Sequence, residues 1–152
     1  MAKSHRVLGC ERLEDRAMLT GQAALIDDAI IGGGINNANL PSSPKYLTDV
    51  NGTLYFTADD GINGRELWRI NGAGQAEMVE DSVPGGGIRA GAAGSNPRYL
   101  TNVNGTLFFQ ANDGVNGEEL WRISSLGQAE LVEDNVAGGG IRPGSANSSP
   151  FR

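Results

Sequence analysis

The chain has 152 residues, of which 23 are glycine and nine aromatic (two Trp, three Tyr and four Phe), and a formal net charge of −6. That length suits one ordinary domain, and the composition suits short strands joined by tight turns better than helical packing, since no helical stripe of apolar residues persists beyond the first 30 positions. Met1 to Thr20 carries four basic and three acidic residues and the remainder eight and fifteen, so the body of the chain lacks the clustered cations that displace counterions from nucleic acid, and it would repel anionic lipid.

Residues 1–24 read as a charged, partly helical leader with no role in the fold. An ordinary secretory signal needs a continuous apolar stretch of ~7–15 residues, and the only apolar pair ahead of the charged element is Val7-Leu8. Val7-Leu8-Gly9-Cys10 lacks the apolar helix that precedes a lipidation box. Cys10 is the single cysteine, which excludes an internal disulfide and a Cys-based zinc site, and His5 is a solvated tail residue. No segment approaches the ~20 apolar residues that would span a bilayer. Glu11, Leu13, Glu14, Arg16 and Leu19 follow a Glu-x-Leu-Glu-x-Arg-x-x-Leu spacing. This resembles an element at the start of many exported planctomycete proteins, and the resemblance implies a secreted or cell-surface location.

Residues 46–98 are repeated without a gap in residues 99–151, with 36 of 53 positions identical. Leu25 to Lys45 aligns with Met78 to Arg98 at the same offset, matching at Asp28, Gly32, Gly33, Gly34, Ile35, Ser42 and Pro44. The chain therefore divides into the leader, a partial repeat at 25–45 (a last strand and its linker), a first repeat at 46–98 and a second at 99–152. Each such unit exposes apolar surface that only a neighbour can cover.

Within the first repeat, Tyr46 to Val50 and Thr53 to Ala58 flank Asn51-Gly52, and Asn104-Gly105 stands between Val103 and Thr106 to Ala111 in the second. Asn-Gly between β-formers predicts a hairpin, because both residues of a type I′ turn take positive φ. The loop Asp59 to Gly64 leads to a third strand, Glu66 to Ile70, repeated as Glu119 to Ile123, and a fourth is predicted over Ala76 to Asp81. Leu54, Phe56 and Ala58 share one face of the second strand with Tyr55 opposite, while Trp68 and Ile70 face away from Leu67. Both faces are apolar, so each sheet is expected to lie between others. The expected fold is all-β: antiparallel four-stranded blades of an incomplete β-propeller-like repeat, with two full units of 53 residues and a partial one.

Asn-Gly-Thr-Leu-(Tyr/Phe)-Phe followed by Asp-Gly-x-Asn-Gly-x-Glu-Leu-Trp-Arg resembles the repeat named for Glu-Leu-Trp-x-x-Asp-Gly-Thr, found in bacterial surface and secreted proteins. The final Asp-Gly-Thr has drifted to Asn71-Gly72-Ala73 in the first copy and Ser124-Ser125-Leu126 in the second. The resemblance implies a propeller-like, extracellular, non-catalytic scaffold and carries no active-site residues. Two full units fall short of the roughly 4–8 blades of a closed ring, so either several copies assemble or the chain is a fragment of a longer repeat protein.

Several groups are candidates for chemistry. Asp59, Asp60 and Asn63, with Asn112, Asp113 and Asn116 as counterparts, place oxygen atoms in a tight loop as calcium sites do, but without the twelve-residue spacing or a closing acid; the alternative is a turn. No other cofactor is expected. Gly85-Gly86-Gly87 and Gly138-Gly139-Gly140 suggest a phosphate cradle, yet no Lys-Ser or Lys-Thr follows, and loop flexibility is the expectation. Glu66, Glu118 and Glu119 invite a paired-carboxylate reading, against a structural role in each blade. Trp68 and Trp121 could stack on sugars, although recurrence in each unit favours packing. With His5 and Cys10 confined to the leader, no Ser-His-Asp or Cys-His arrangement exists. The expected function is a non-catalytic structural or adhesion scaffold. The alternative is a carbohydrate-binding propeller completed by further copies of the chain, with surface glycans or proteins as partners.

Overall fold

The computed structural model describes residues 24–26, 28, 34–36, 40–83, 85–134 and 140–141, so the leader motif lies outside it. The described residues form eight strands and no helix: β1 Lys45–Val50, β2 Thr53–Asp59, β3 Arg65–Ile70, β4 Ala76–Met78, β5 Arg98–Val103, β6 Thr106–Asn112, β7 Glu118–Ile123 and β8 Ala129–Leu131. Each repeat makes one antiparallel sheet in chain order, β1-β2-β3-β4 and β5-β6-β7-β8. The two sheets stack as successive blades and do not close into a ring.

Both Asn-Gly pairs take the expected turn. Asn51 and Gly52 have φ of 52° and 82°, Asn104 and Gly105 of 49° and 82°. Asp49 and Asn102 complete these turns, each accepting the glycine N–H on its side-chain oxygen at 2.8 and 2.9 Å. A feature without a sequence signal precedes each hairpin. The register advances from Lys45↔Thr57 to Thr48↔Tyr55, three residues against two, and from Arg98↔Gln110 to Thr101↔Phe108 in the second sheet. The extra residue makes a bulge at which Tyr46 and Tyr99 sit at φ of 56° and 55°. The Thr48 and Thr101 hydroxyls donate to the tyrosine carbonyls at 3.0 and 2.9 Å and hold the bulge in place.

The fourth strand is shorter than the sequence predicts. It ends at Met78 rather than Asp81. One further ladder bond, Val79 N–H to Leu67 O at 2.8 Å, closes it, and the Glu80 carbonyl then accepts the Ala129 N–H of the second sheet at 2.8 Å. The chain leaves its own sheet because the next one supplies the acceptor's partner.

Alternation places the core between sheets. Val50, Tyr55, Leu67, Val79 and Ile88 of the first repeat pack against Leu107, Phe109, Ala111, Trp121 and Ala129 of the second. The opposite face of the first sheet, with Phe56, Ala58, Trp68 and Ala76, packs against Ile35 of the partial repeat. That segment occupies the same place against the first sheet as the linker does against the second: Ser42 O accepts from Asp59 N–H at 2.9 Å, and Ser95 O from Asn112 N–H at 3.0 Å. Side-chain amides and a guanidinium add bonds across the stack, Asn102 Nδ2 to Asp49 O at 3.0 Å and Arg69 to Gly127 O at 3.0 Å. Position in the stack decides burial. Val50, covered by the second sheet, is 7% exposed, whereas its counterpart Val103 is 46% exposed; Leu100 packs on the shared core, whereas Leu47 is 63% exposed.

Candidate functional site

Among the described residues, Glu66 is a buried acid that accepts three hydrogen bonds. Its backbone pairs with Ala58 across the β2–β3 ladder, and its side chain is fully buried. A buried carboxylate persists only where donors replace water. Here Ser95 N–H donates to Oε1 at 2.6 Å, while Ile88 N–H, at 3.2 Å, and the Ser95 hydroxyl donate to Oε2. All three donors belong to the segment that carries the chain from one sheet to the next. Glu66 is thus a staple between a blade and the crossing that follows it. Loss of water pushes its pKa up from 4.5 to about 7, the hydrogen bonds from Ser95, Ile88 and Arg89 opposing that shift.

The glycine triplet is part of this staple and is held rather than loose. Glu80 Oε2 accepts from Gly85 N–H at 2.9 Å and Gly87 N–H at 3.3 Å, so the chain's own carboxylate occupies the cradle a phosphate would need. Gly87 has a φ of +82°, and a Cβ there would stand 2.8 Å from the Glu66 carboxyl carbon. The second repeat builds the same approach, a Cβ on Gly140 falling 2.8 Å from Oε2 of the buried Glu119. Gly87→Ala is therefore expected to destabilise the fold by more than about 2 kcal/mol, combining left-handed strain with a clash that buried Glu66 cannot escape. Urea unfolding of the variant checks this; an unchanged midpoint would contradict the close approach.

The loop candidates for calcium are brought together as turns. Asp60 Oδ1 accepts from Ile62 N–H and Asn63 N–H at 2.8 and 2.7 Å, and its Oδ2 accepts from Asn63 Nδ2 at 2.7 Å. Asp113, Val115 and Asn116 repeat this at 2.8, 2.7 and 2.7 Å. Asp59 and Asn112 cap Gly61 and Gly114 in the same way, at 2.8 and 2.7 Å. Both carboxylate oxygens of Asp60 and of Asp113 thus accept bonds from their own loops. Among the described residues, no group of three or more His, Cys, Asp or Glu side chains is placed to hold a metal ion.

Trp68 and Trp121 are each 4% exposed, and Trp68 donates its indole N–H to Ala58 O at 3.2 Å. Neither presents a ring face to a ligand; both fill the space beside a sheet. Glu66 and Glu119 lie buried in different sheets and Glu118 is half-buried, so these carboxylates do not converge across an open cleft as glycoside cleavage requires.

The roles of Ser95 and Ile88 escaped the sequence reading, although a signal was there. Glu66 recurs at the 53-residue offset as Glu119, and Gly87, Ile88 and Ser95 recur as Gly140, Ile141 and Ser148 in a segment otherwise free of strand pattern. No protein-family model, no curated protein and no solved structure matches this chain.

Proposed function

We propose that the chain is a non-catalytic scaffold built from blade-like repeats, working outside the cell or at its surface in a structural or adhesive role. The observation that carries this reading is the inward use of its reactive side chains: Glu66 holds the crossing between sheets, Asp60 and Asp113 hold turns, and both tryptophans pack. The likeness of Glu11 to Leu19 to an export element supports the location. Protease shaving of intact cells expressing the tagged chain tests it. Digestion of the tag without lysis is expected; a tag protected until lysis would contradict a surface role.

A second reading, a ring completed by further copies of the chain, is favoured by the outer faces of the stack. Val103 and Leu47 are exposed at positions whose counterparts Val50 and Leu100 meet another sheet. Three chains of two blades would give six, within the roughly 4–8 of closed rings. Light scattering coupled to size exclusion reads it directly: a rise with concentration toward three times 15.9 kDa supports assembly, and a constant 15.9 kDa opposes it.

A further inference from the structure

Where β1 and β5 begin side by side, the surface opens into a groove of about 290 Å³ lined by Lys45, Tyr46, Arg65, Asn96, Arg98 and Tyr99. Three of the six lysines and arginines among the described residues converge there, in a chain of net charge −6, and no carboxylate lines the groove. The remaining cations include Arg69 and Arg122, which are paired with Glu77 and Glu130 at 2.9 and 3.2 Å. Lys45, Arg65 and Arg98 make no ion pair among the described residues. Arg65 is fixed by neutral acceptors only, donating to Ser43 O at 2.9 Å and to Thr57 O and Oγ1, each at 3.3 Å. Its charge is positioned and has no ion-pair partner among the described residues.

The tyrosines supply a second, independent observation. Tyr46 and Tyr99 are 46% and 48% exposed, and both stand at bulges in the left-handed region, where a bulky side chain is strained and glycine is not. Strain held at an exposed aromatic residue points to a use for its ring. Aromatic rings offer an apolar face, and guanidinium groups match planar carboxylates with paired hydrogen bonds.

We propose that this groove binds a uronate-bearing glycan, the tyrosines lying against sugar rings and Lys45, Arg65 and Arg98 holding the carboxylate. A long polyanion such as nucleic acid is disfavoured, because beyond the groove the acidic residues outnumber the basic ones. The inference rests on the reading of the chain as a non-catalytic adhesion scaffold and names what it adheres to.

The test is calorimetric titration of the full chain with trigalacturonate, its fully methyl-esterified form and sodium sulfate, alongside Tyr46→Gly and Arg98→Glu. Trigalacturonate is expected to bind, and the neutral ester, Tyr46→Gly and Arg98→Glu each to weaken binding by at least about tenfold. The melting temperature of Tyr46→Gly is expected to hold or rise, since glycine relieves the bulge, so lost binding is separable from lost folding. No binding by the folded chain, undiminished binding by either variant, or equal competition by sulfate would overturn the groove and leave the scaffold reading standing. Release of new reducing ends from trigalacturonate would overturn the scaffold reading instead.

Discussion

Phe109→Ala is expected to lower stability by about 3–5 kcal/mol, as large-to-small changes of aromatic residues in packed cores do. Phe109 is fully buried in the middle of β6, within the cluster that joins Tyr55 and Leu67 of one repeat to Trp121 of the other. A domain of this size holds only about 5–15 kcal/mol in all, so the loss would unfold a large share of the molecules on warming. The adjacent Phe108 is only half-buried and lies on the other face of the strand. Phe108→Ala is accordingly expected to cost less than about half as much. Urea midpoints at unchanged slope give both values. Equal losses at the two neighbours would mean that β6 does not turn one face to the first sheet and the other away.

Glu66 makes stability fall as pH rises from about 4.5 to about 7. Below 4.5 the carboxyl is protonated whether the chain is folded or not, and it contributes no pH dependence. Between the two values the unfolded chain releases the proton while the folded chain keeps it, so each step up in pH favours unfolding; above about 7 both forms are ionised and the contribution levels off. The fall amounts to about 3 kcal/mol across the window. Asp81, also raised from 3.8 by loss of water, adds to the same trend. Thermal melts from pH 4 to 8 are expected to show this slope, and Glu66→Gln to flatten most of it. Below about pH 4.5, Glu66→Ala is expected to lower stability by about 2–5 kcal/mol, because the buried N–H groups of Ser95 and Ile88 lose their acceptor, and the loss shrinks as pH rises because the variant lacks the wild-type slope. Wild-type stability of this variant at pH 4 would contradict the staple.

What the sequence made legible was whatever repeats locally. The Asn-Gly turns, the alternation of Leu54, Phe56 and Ala58 against Tyr55, and the placement of Trp68 beside a neighbouring layer follow from spacing within a few residues. The features that escaped depend on groups far away in the chain. β4 stops early because Glu80 O finds Ala129, 49 positions on. The Glu66 staple closes with Ile88 and Ser95, 22 and 29 positions on. The bulges at Tyr46 and Tyr99 carry no glycine to announce their positive φ. The glycine triplet read as a flexible loop because Glu80, its acceptor, precedes it in a stretch predicted as strand. The groove gathers cations from β1, β3 and β5, none of which is clustered in sequence.

Acrylamide quenching of tryptophan fluorescence tests the stacking of consecutive sheets most directly, since the chain has only two indoles and each lies beside a sheet face. Trp68→Phe and Trp121→Phe let each be read alone. Both indoles are expected to be strongly shielded in the folded chain and freely quenched in urea; an indole quenched equally in both states would contradict the stack.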